Sequence, residues 1–479
     1  MSRYPISHCR YVCGFPIRQL ALLTPRSRAL ITVSRRPISS RATTISNAAA
    51  HILPPNVPIE EEQNPDYDPR RFYPARVGET VNGKYEIISK LGFGTGSTVW
   101  LAEERNRWPW QPSKYMALKI TNCFEGDRKS ANEELAMSRH ISQIQSKYEN
   151  SKYVRVVEDS FIVPGPFGEH LCLAFEPLRE PLWMLGRHLG TVGLSSPILK
   201  AFMKLILQGL DFLHSGCRII YTDLKADNFL LGFEDSSVIA EYVKAQRQNL
   251  DPYKDGDGRR VYQSQPNFGR LRKGTGVLKI SDFGAAVFGD TASLHYHDIQ
   301  PEQFAAPEVL LGAGWTYSAD IWNLGMVLWE LLEDISLIDG IGPENKYSRP
   351  AHFAQMIRLL GPPPEELLGR ANRGVYEDLY CEQDHMLTNA PPLPIAPSFY
   401  SPSVAPSLAD PMLTNPLPGE FKHPRLMPSK DFTFESRTMA LDGEDKRLFI
   451  EFAQKMLRWR PEERATAKEL YEDPWLSSP

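Results

Sequence analysis

The apolar residues of this chain change their spacing near position 178, and that change limits the fold more than any other feature of the sequence. Up to Phe175 they fall in short β-branched and aromatic runs: Tyr85 to Ser89, Thr98 to Ala102, Tyr115 to Ile120, Val154 to Phe161 and Leu171 to Phe175. Runs of that length, the first three separated by a glycine-rich turn and a Trp/Pro-rich loop, predict consecutive antiparallel strands. The stretch Arg128 to Ile144, with acidic residues early and apolar ones at Leu135, Met137 and Ile141, predicts a helix instead. Beyond Leu178 the helical period takes over, as in Phe202, Leu205, Ile206, Leu210 and Leu213. The expectation is an α+β fold of two lobes: a small antiparallel sheet with one major helix, then a larger, mainly α lobe.

The 479 residues are 42% apolar, enough for a two-lobed domain, and a net charge of −4 gives no global field toward nucleic acid or a membrane. No direct nucleic-acid contact, no membrane span and a monomer are expected. Six scattered cysteines suit free thiols rather than a disulfide scaffold. Residues 1–59 hold eight arginines and no Asp, Glu or Lys. That is the composition of a mitochondrial transit peptide, or equally of a basic arm without an address, because Pro5, Pro16, Pro25 and Pro37 break any long amphipathic helix. Pro54, Pro55, Pro58, Pro65, Pro69 and Pro74, around the acidic Glu60 to Glu62, predict a stiff extended linker. Arm and linker therefore take residues 1–65, the first lobe 66–178 with its regular sequence from near Val81, and the second lobe 179–476. Two stretches of the second lobe read as loops or partly disordered insertions. One is the polar, net basic 233–276, expected to bulge out of that lobe; the other is the proline-rich 390–428.

Chemistry is concentrated in a few short motifs. Leu91-Gly92-Phe93-Gly94-Thr95-Gly96-Ser97-Thr98-Val99 lies between two predicted strands, where glycines let backbone amides approach a triphosphate. Lys119 ends the apolar strand Met116-Ala117-Leu118-Lys119 and needs a carboxylate, which Glu134 on the next helix can supply. Further on come Tyr221-Thr222-Asp223-Leu224-Lys225-Ala226-Asp227-Asn228, then Ser281-Asp282-Phe283-Gly284, then Ala306-Pro307-Glu308. Each alone reads as a turn or as solvated charge. Arriving in this order they supply what phosphoryl transfer requires. Asp223 can orient an acceptor hydroxyl, Asn228 and Asp282 can ligate Mg²⁺, and Lys119 and Lys225 can neutralise phosphate charge.

From about Tyr73 to Leu476 the chain resembles a eukaryotic-type protein kinase. That resemblance implies ATP and Mg²⁺ in a cleft between the lobes, a hinge at Glu176 to Leu178 behind Phe175, and adenine held between Val99 and Ala117. Asp320-Ile321-Trp322-Asn323-Leu324-Gly325 is similar to the family's central second-lobe helix, and Arg464 to the arginine that pairs with the carboxylate of Glu308. Within the superfamily, Tyr73-Pro74-Ala75-Arg76-Val77-Gly78-Glu79, Asn82-Gly83-Lys84-Tyr85 and Ser97-Thr98-Val99-Trp100 resemble the SR-protein kinases, fungal members above all. Ile220-Tyr221-Thr222-Asp223 and Asp298-Ile299-Gln300 extend the similarity, as does Ser97 in place of the third loop glycine. The resemblance implies Ser/Thr protein substrates, Arg/Ser-rich splicing factors among them, and a location in cytoplasm and nucleus.

The chain departs from the family at Tyr221, where a histidine is usual, and in Pro301-Glu302-Gln303-Phe304-Ala305-Ala306-Pro307, which is similar to a generic kinase substrate loop. The uncharged Thr222 before Asp223 cannot read a phosphate on the activation segment, where Thr291, Ser293 and Tyr296 are the only acceptors, so constitutive activity is expected. Glu365, Glu366, Glu377, Asp378, Glu382 and Asp384 read either as a groove for Arg-rich substrates or as a solvated helix face. Set against an active kinase stands a pseudokinase scaffold, prompted by Tyr221, Ser97 and the insertions. A small-molecule kinase is opposed by Ala306-Pro307-Glu308 and the Asp320 helix.

Overall fold

A computed structural model describes residues 52–108, 110–249, 251–256, 258–272, 274–289, 294–381 and 419–478. The basic arm to residue 51, most of the proline-rich stretch 390–428, Thr291 and Ser293 lie outside the described residues. The first lobe is a six-stranded antiparallel sheet built from β1 (Thr80–Val81), β2 (Tyr85–Phe93), β3 (Ser97–Glu104), β4 (Tyr115–Thr121), β5 (Val157–Pro164) and β6 (Glu169–Phe175), in the order β1-β2-β3-β4-β6-β5. Helix α1 (Glu125–Gln145) joins β4 to the β5–β6 hairpin, with Glu125 and Asp127 favourably placed at the positive end of its dipole. Its inner face carries Ala131 and Leu135 against Leu171, Leu173 and Phe175 of the sheet. One turn further, Met137 and Ile141 pack into the core of the second lobe. The five expected strands and the helix are all present, with β1 as an addition too short to leave a periodic signal.

The second lobe is organised by α2 (Ser196–Asp211) and α4 (Ser318–Glu333), with α5 (Arg349–Leu360) and α6 (Gly443–Gln454) packed outside them. Trp322 and Trp329 of α4 are fully buried, as are Leu199, Ile206 and Leu210 of α2. Two-residue pairings β7 (Ile219–Ile220) with β12 (Val287–Phe288), and β8 (Phe229–Leu230) with β11 (Lys279–Ile280), lie under the cleft between the lobes.

The stretch 233–276, expected as a loop, is folded. It forms α3 (Ser236–Gln248), N-capped by Asp235, and the hairpin of β9 (Tyr253–Gly256) and β10 (Arg259–Tyr262). Its helix and hairpin pack on the first lobe, while Leu271 of the returning limb rests against the core of the second. Val238, Ile239, Tyr242 and Val243 of α3, with Phe268, bury Ile88 and Leu101 of the sheet, while Tyr262 meets Trp100 edge-on at 5.6 Å. Each such apolar side chain, once buried, contributes about 2 kcal/mol. Glycine is required where the insertion leaves and rejoins the chain: a Cβ on Gly276 would lie 2.4 Å from the Phe233 carbonyl oxygen, and one on Gly232 only 2.8 Å from Val277 backbone.

The linker expectation is corrected too. Residues 52–72 lie against the first lobe and the insertion, with short helical turns at Glu60–Gln63 and Pro69–Arg71. Glu61, fully buried, accepts from Lys90 Nζ of β2 at 2.5 Å and from Arg259 Nη2 of β10 at 2.6 Å. Lys254 pairs with Glu62 at 2.8 Å, and Glu60 accepts from the Ser264 amide. The acidic triplet of the expected extended linker is thus the meeting point of linker, sheet and insertion. Buried charges of this kind are stable only when fully paired.

Asp251 shares this junction, accepting from the Lys90 amide and the Ser89 hydroxyl, both at 3.0 Å. Burial pushes its pKa up to about 6, only partly offset by those hydrogen bonds and Lys90. A carboxyl raised above its unfolded value leaves the folded state holding the extra proton. Its contribution to stability therefore falls as pH rises from about 4 to 6. Asp251→Asn is expected to flatten that part of the pH–stability curve in chemical denaturation, whereas an unchanged slope would show that Asp251 titrates normally.

Candidate active site

Lys119, on β4, meets carboxylates from both sides. Its Nζ lies 2.8 Å from Glu134 Oε2 of α1 and 3.2 Å from Asp282 Oδ1, which enters from the segment after β11. One cation therefore ties sheet, helix and second lobe together. Gly284 N–H also reaches Asp282 Oδ1 at 3.3 Å. Burial acts to raise the Asp282 pKa, but Lys119 and Lys225 outweigh it and hold the carboxyl below its ordinary value.

Opposite this trio, Asp223 Oδ2 accepts from Lys225 Nζ at 2.6 Å and from Asn228 Nδ2 at 3.3 Å. Asn228 Nδ2 also donates to the Asp223 carbonyl at 2.9 Å, which leaves its Oδ1 as the oxygen for a ligand. Burial lifts the Asp223 pKa above the ordinary carboxylate range, with Lys225 pulling the other way.

Backbone strain surrounds these groups. Thr222 has φ +69° and Asp282 φ +66°, the left-handed region that a β-branched residue avoids. Each such residue costs about 1–3 kcal/mol and persists only where its surroundings hold it. Asp320 of α4, fully buried, holds the first of them: its Oδ2 and Oδ1 accept from the Tyr221 and Thr222 amides, each at 2.7 Å, and His214 Nε2 lies at 2.8 Å. Thr222 Oγ1 donates to the Ala285 carbonyl at 2.8 Å. Tyr221, in the place of the usual histidine, packs edge-on against Phe283 at 5.3 Å and donates its hydroxyl to the Ser281 carbonyl.

The expected nucleotide residues line up above. Gly92 pairs with Val99 and Phe93 with Thr98 across the β2–β3 turn, and the Gly94 amide donates to the Ser97 carbonyl at 2.8 Å. Gly96 and Thr95 accept from Asn122, the first at the backbone amide and the second at the side-chain amide, so the turn is tied to the end of β4. Leu91, Val99, Ala117 and Phe175 belong to one apolar cluster, and Leu178 is buried at the expected hinge. Glu308 and Arg464 form a bidentate pair at 2.7 Å with no exposed surface.

Three residues here escaped the sequence reading. Arg155 donates to the Glu176 carbonyl through Nε at 3.0 Å, reaches Ser281 Oγ at 3.3 Å and lies over the Phe175 ring at 4.8 Å. Arg179, fully buried just past the hinge, binds Glu234 at 2.8 Å and the Gly269 carbonyl at 2.6 Å, fastening both limbs of the insertion to the hinge. Asp320 stands out in the sequence only as part of a helix motif. Apart from Glu180 beside Arg179, their hydrogen-bond partners lie 21 or more residues away, so no spacing rule could have found the contacts.

Comparison with known proteins agrees with this geometry. The protein kinase domain matches residues 85–476. The chain belongs to the protein kinase family and is a serine/threonine protein kinase. A serine/threonine protein kinase of Aspergillus fumigatus is 33% identical over 456 residues, covering 95% of this chain and 99% of its own. The serine/threonine-protein kinase SRPK of Physarum polycephalum is 30% identical over 447 residues, covering 87% and 92%. A crystallised kinase domain shares the fold, with a TM-score of 0.56 at 23% identity over 85% of this chain and all of that one.

Replacing Asp320 by Asn puts an N–H₂ where a backbone amide must donate. The variant is expected to lose about 2 kcal/mol of stability and on the order of 10–100-fold in kcat, since misplaced groups near the chemistry are costly. The KM for ATP should stay nearly constant. Denaturation and steady-state kinetics check this, and an unchanged kcat would remove Asp320 from the account.

Proposed function

We propose that the chain transfers the γ-phosphoryl group of MgATP to Ser/Thr hydroxyls of protein substrates, Arg/Ser-rich proteins among them. The observation that carries this reading is the convergence of Lys119, Glu134 and Asp282 on one side of the cleft with Asp223, Lys225 and Asn228 on the other. Protein kinases use ATP and Mg²⁺ generally, and the donor set here suits a hard cation, since Asp282 and the Oδ1 of Asn228 offer only oxygen. Bound magnesium supplies charge screening between phosphate oxygens. Leu91, Val99, Ala117, Phe175 and Leu178 form apolar walls for the adenine ring, with Arg155 bracing the Glu176 carbonyl at the hinge. Gly92, Phe93, Gly94, Thr95, Gly96, Ser97 and Thr98 cover the phosphates, and Lys119, oriented by Glu134, points a cation at them.

Asp223 orients the acceptor hydroxyl and takes its proton, a task helped by the burial that raises its pKa above its ordinary value. Lys225 holds Asp223 in place and neutralises the transferring group. Tyr221 supports activity rather than a scaffold role, because its ring keeps the edge-on contact with Phe283 and its hydroxyl ties down the Ser281 backbone. Thr222 spends its hydroxyl on Ala285, with no charge for a phosphate, which favours constitutive activity.

Arg/Ser preference draws support from the likeness to the Physarum SRPK and from acidic side chains at 365–378. Part of that acidity is already matched: Glu366 pairs with Arg460 at 2.7 Å and Glu377 with Arg373 at 2.6 Å. Glu382 and Asp384 lie outside the described residues. The test is a peptide-array phosphorylation screen with wild type, phosphatase-treated wild type and Asp223→Asn. Ser/Thr phosphorylation enriched beside arginine, unaffected by phosphatase and reduced at least about 1,000-fold in the variant, is expected. Full turnover by Asp223→Asn would refute the assignment of the base.

A further inference from the structure

The rear of the cleft holds a buried cation among apolar walls. Arg155 follows Val154, which is fully buried in the second-lobe core, and its own amide donates to the Ile280 carbonyl at 2.9 Å. Its side chain, also buried, runs toward the wall cluster, where the guanidinium lies over the Phe175 ring at 4.8 Å. Nε and Nη2 both donate to the Glu176 carbonyl, at 3.0 and 2.5 Å, and Nη1 reaches Ser281 Oγ at 3.3 Å, one residue before Asp282. The charge is felt within the site: burial raises the Glu134 pKa, and Arg155, after Lys119, is among the groups that draw it down.

This arrangement decides what the base end of the cleft can recognise. A carbonyl oxygen has two lone pairs, and two N–H groups of one guanidinium take those of Glu176. That carbonyl belongs to the hinge residue directly after the Phe175 wall. The 6-amino group of adenine is a donor and meets there a saturated acceptor covered by a cation. A 6-oxo group is an acceptor, and its lone pairs meet positive charge instead. Sites built to hydrogen-bond one polar group reject the analogue lacking it because a buried partner is left unpaired. With the carbonyl already paired to Arg155, no such penalty falls on a purine without the amino group. Arg155 also joins the hinge to the strand ahead of Asp282, but a purely structural duty of that kind would leave base preference untouched.

We propose that Arg155 is a specificity-determining residue for the nucleotide, and that the cleft takes 6-oxopurine triphosphates as phosphoryl donors alongside ATP. The transfer keeps its balance: the bond from the γ-phosphorus to the β–γ bridging oxygen breaks, a P–O bond to the acceptor hydroxyl forms, Asp223 takes the hydroxyl proton and the nucleoside diphosphate leaves. The inference rests on the reading of this cleft as a nucleoside triphosphate site and concerns only its base end.

The experiment measures binding of ATP and ITP to the full chain, by displacement of a fluorescent ATP analogue, in the wild type, Arg155→Met and Arg155→Leu, with peptide phosphorylation from each nucleotide in parallel. The wild type is expected to bind ITP within about tenfold of ATP, and both variants, which free the Glu176 carbonyl, to shift the ratio toward ATP at least about tenfold. The two bases also differ at N1, so the change in ratio between proteins is what reports the 6-position. A wild-type preference for ATP above about tenfold, or a ratio left unchanged by both substitutions, would overturn the proposal. If neither variant folds, the wild-type ratio decides. The expected ratios without phosphate transfer from either nucleotide would refute the phosphotransfer reading and leave the base specificity standing. Transfer from ATP with ITP excluded would do the opposite, and failure of both nucleotides to bind would overturn the two together.

Discussion

Lys119 is the contact on which the rest of the molecule depends. Its ammonium is held at 2.8 Å by a carboxylate of α1 and at 3.2 Å by one from the second lobe, so the sheet, the helix and the floor of the cleft are correct together or not at all. Opposed charges at that distance in a partly desolvated site attract strongly, but the attraction is short-ranged and cannot drag a misplaced helix into position. Something else must set α1. Met137 and Ile141 do so by packing into the second-lobe core, and Asp127 does so at the other end, where Arg71 of the linker binds it at 2.8 Å.

That dependence gives the linker and insertion a physical role. Residues 52–72 reach from the β9–β10 hairpin, where Leu53 donates to the Tyr253 carbonyl, to the start of α1, where the Cys123 amide donates to the Arg71 carbonyl. Between those ends the buried Glu61 binds Lys90 of β2, and Lys90 directly precedes Leu91 at the start of the glycine-rich turn. Arg179 closes the circuit at the hinge. The roof, the hinge and the helix of the site are each braced from outside by chain that lies beyond the matched kinase strands or between them. A site with so many fixed supports has little left for a phosphate on the activation segment to arrange, which accords with the uncharged Thr222.

The sequence made the strands, the single major helix and the chemical residues legible because their signals are local. Period-two runs mark strands, and Gly, Asp, Asn and Lys at fixed spacing mark phosphoryl chemistry. The linker and the insertion are hard to read locally for one reason: both look polar, and several of their charges find partners about 160 to 200 residues away. Glu61 among six prolines resembles a solvated patch until Arg259 and Lys90 are placed around it. The amphipathic face of α3, with Val238, Ile239, Tyr242 and Val243, was present in the sequence but was masked by the basic composition around it. Arg155 and Asp320 act on backbone groups, and backbone partners leave no residue-type signature at all.

The account rests finally on two oxygen donors, Asp282 and Asn228, facing a cation that belongs with the nucleotide. Titration calorimetry of the full chain with a non-hydrolysable ATP analogue, with and without Mg²⁺, examines that directly. Wild type is predicted to bind at least about tenfold more tightly when magnesium is present, and Asp282→Asn to lose that dependence while still binding the analogue weakly. Equal affinity with and without magnesium in the wild type, or an undiminished magnesium effect in Asp282→Asn, would contradict it.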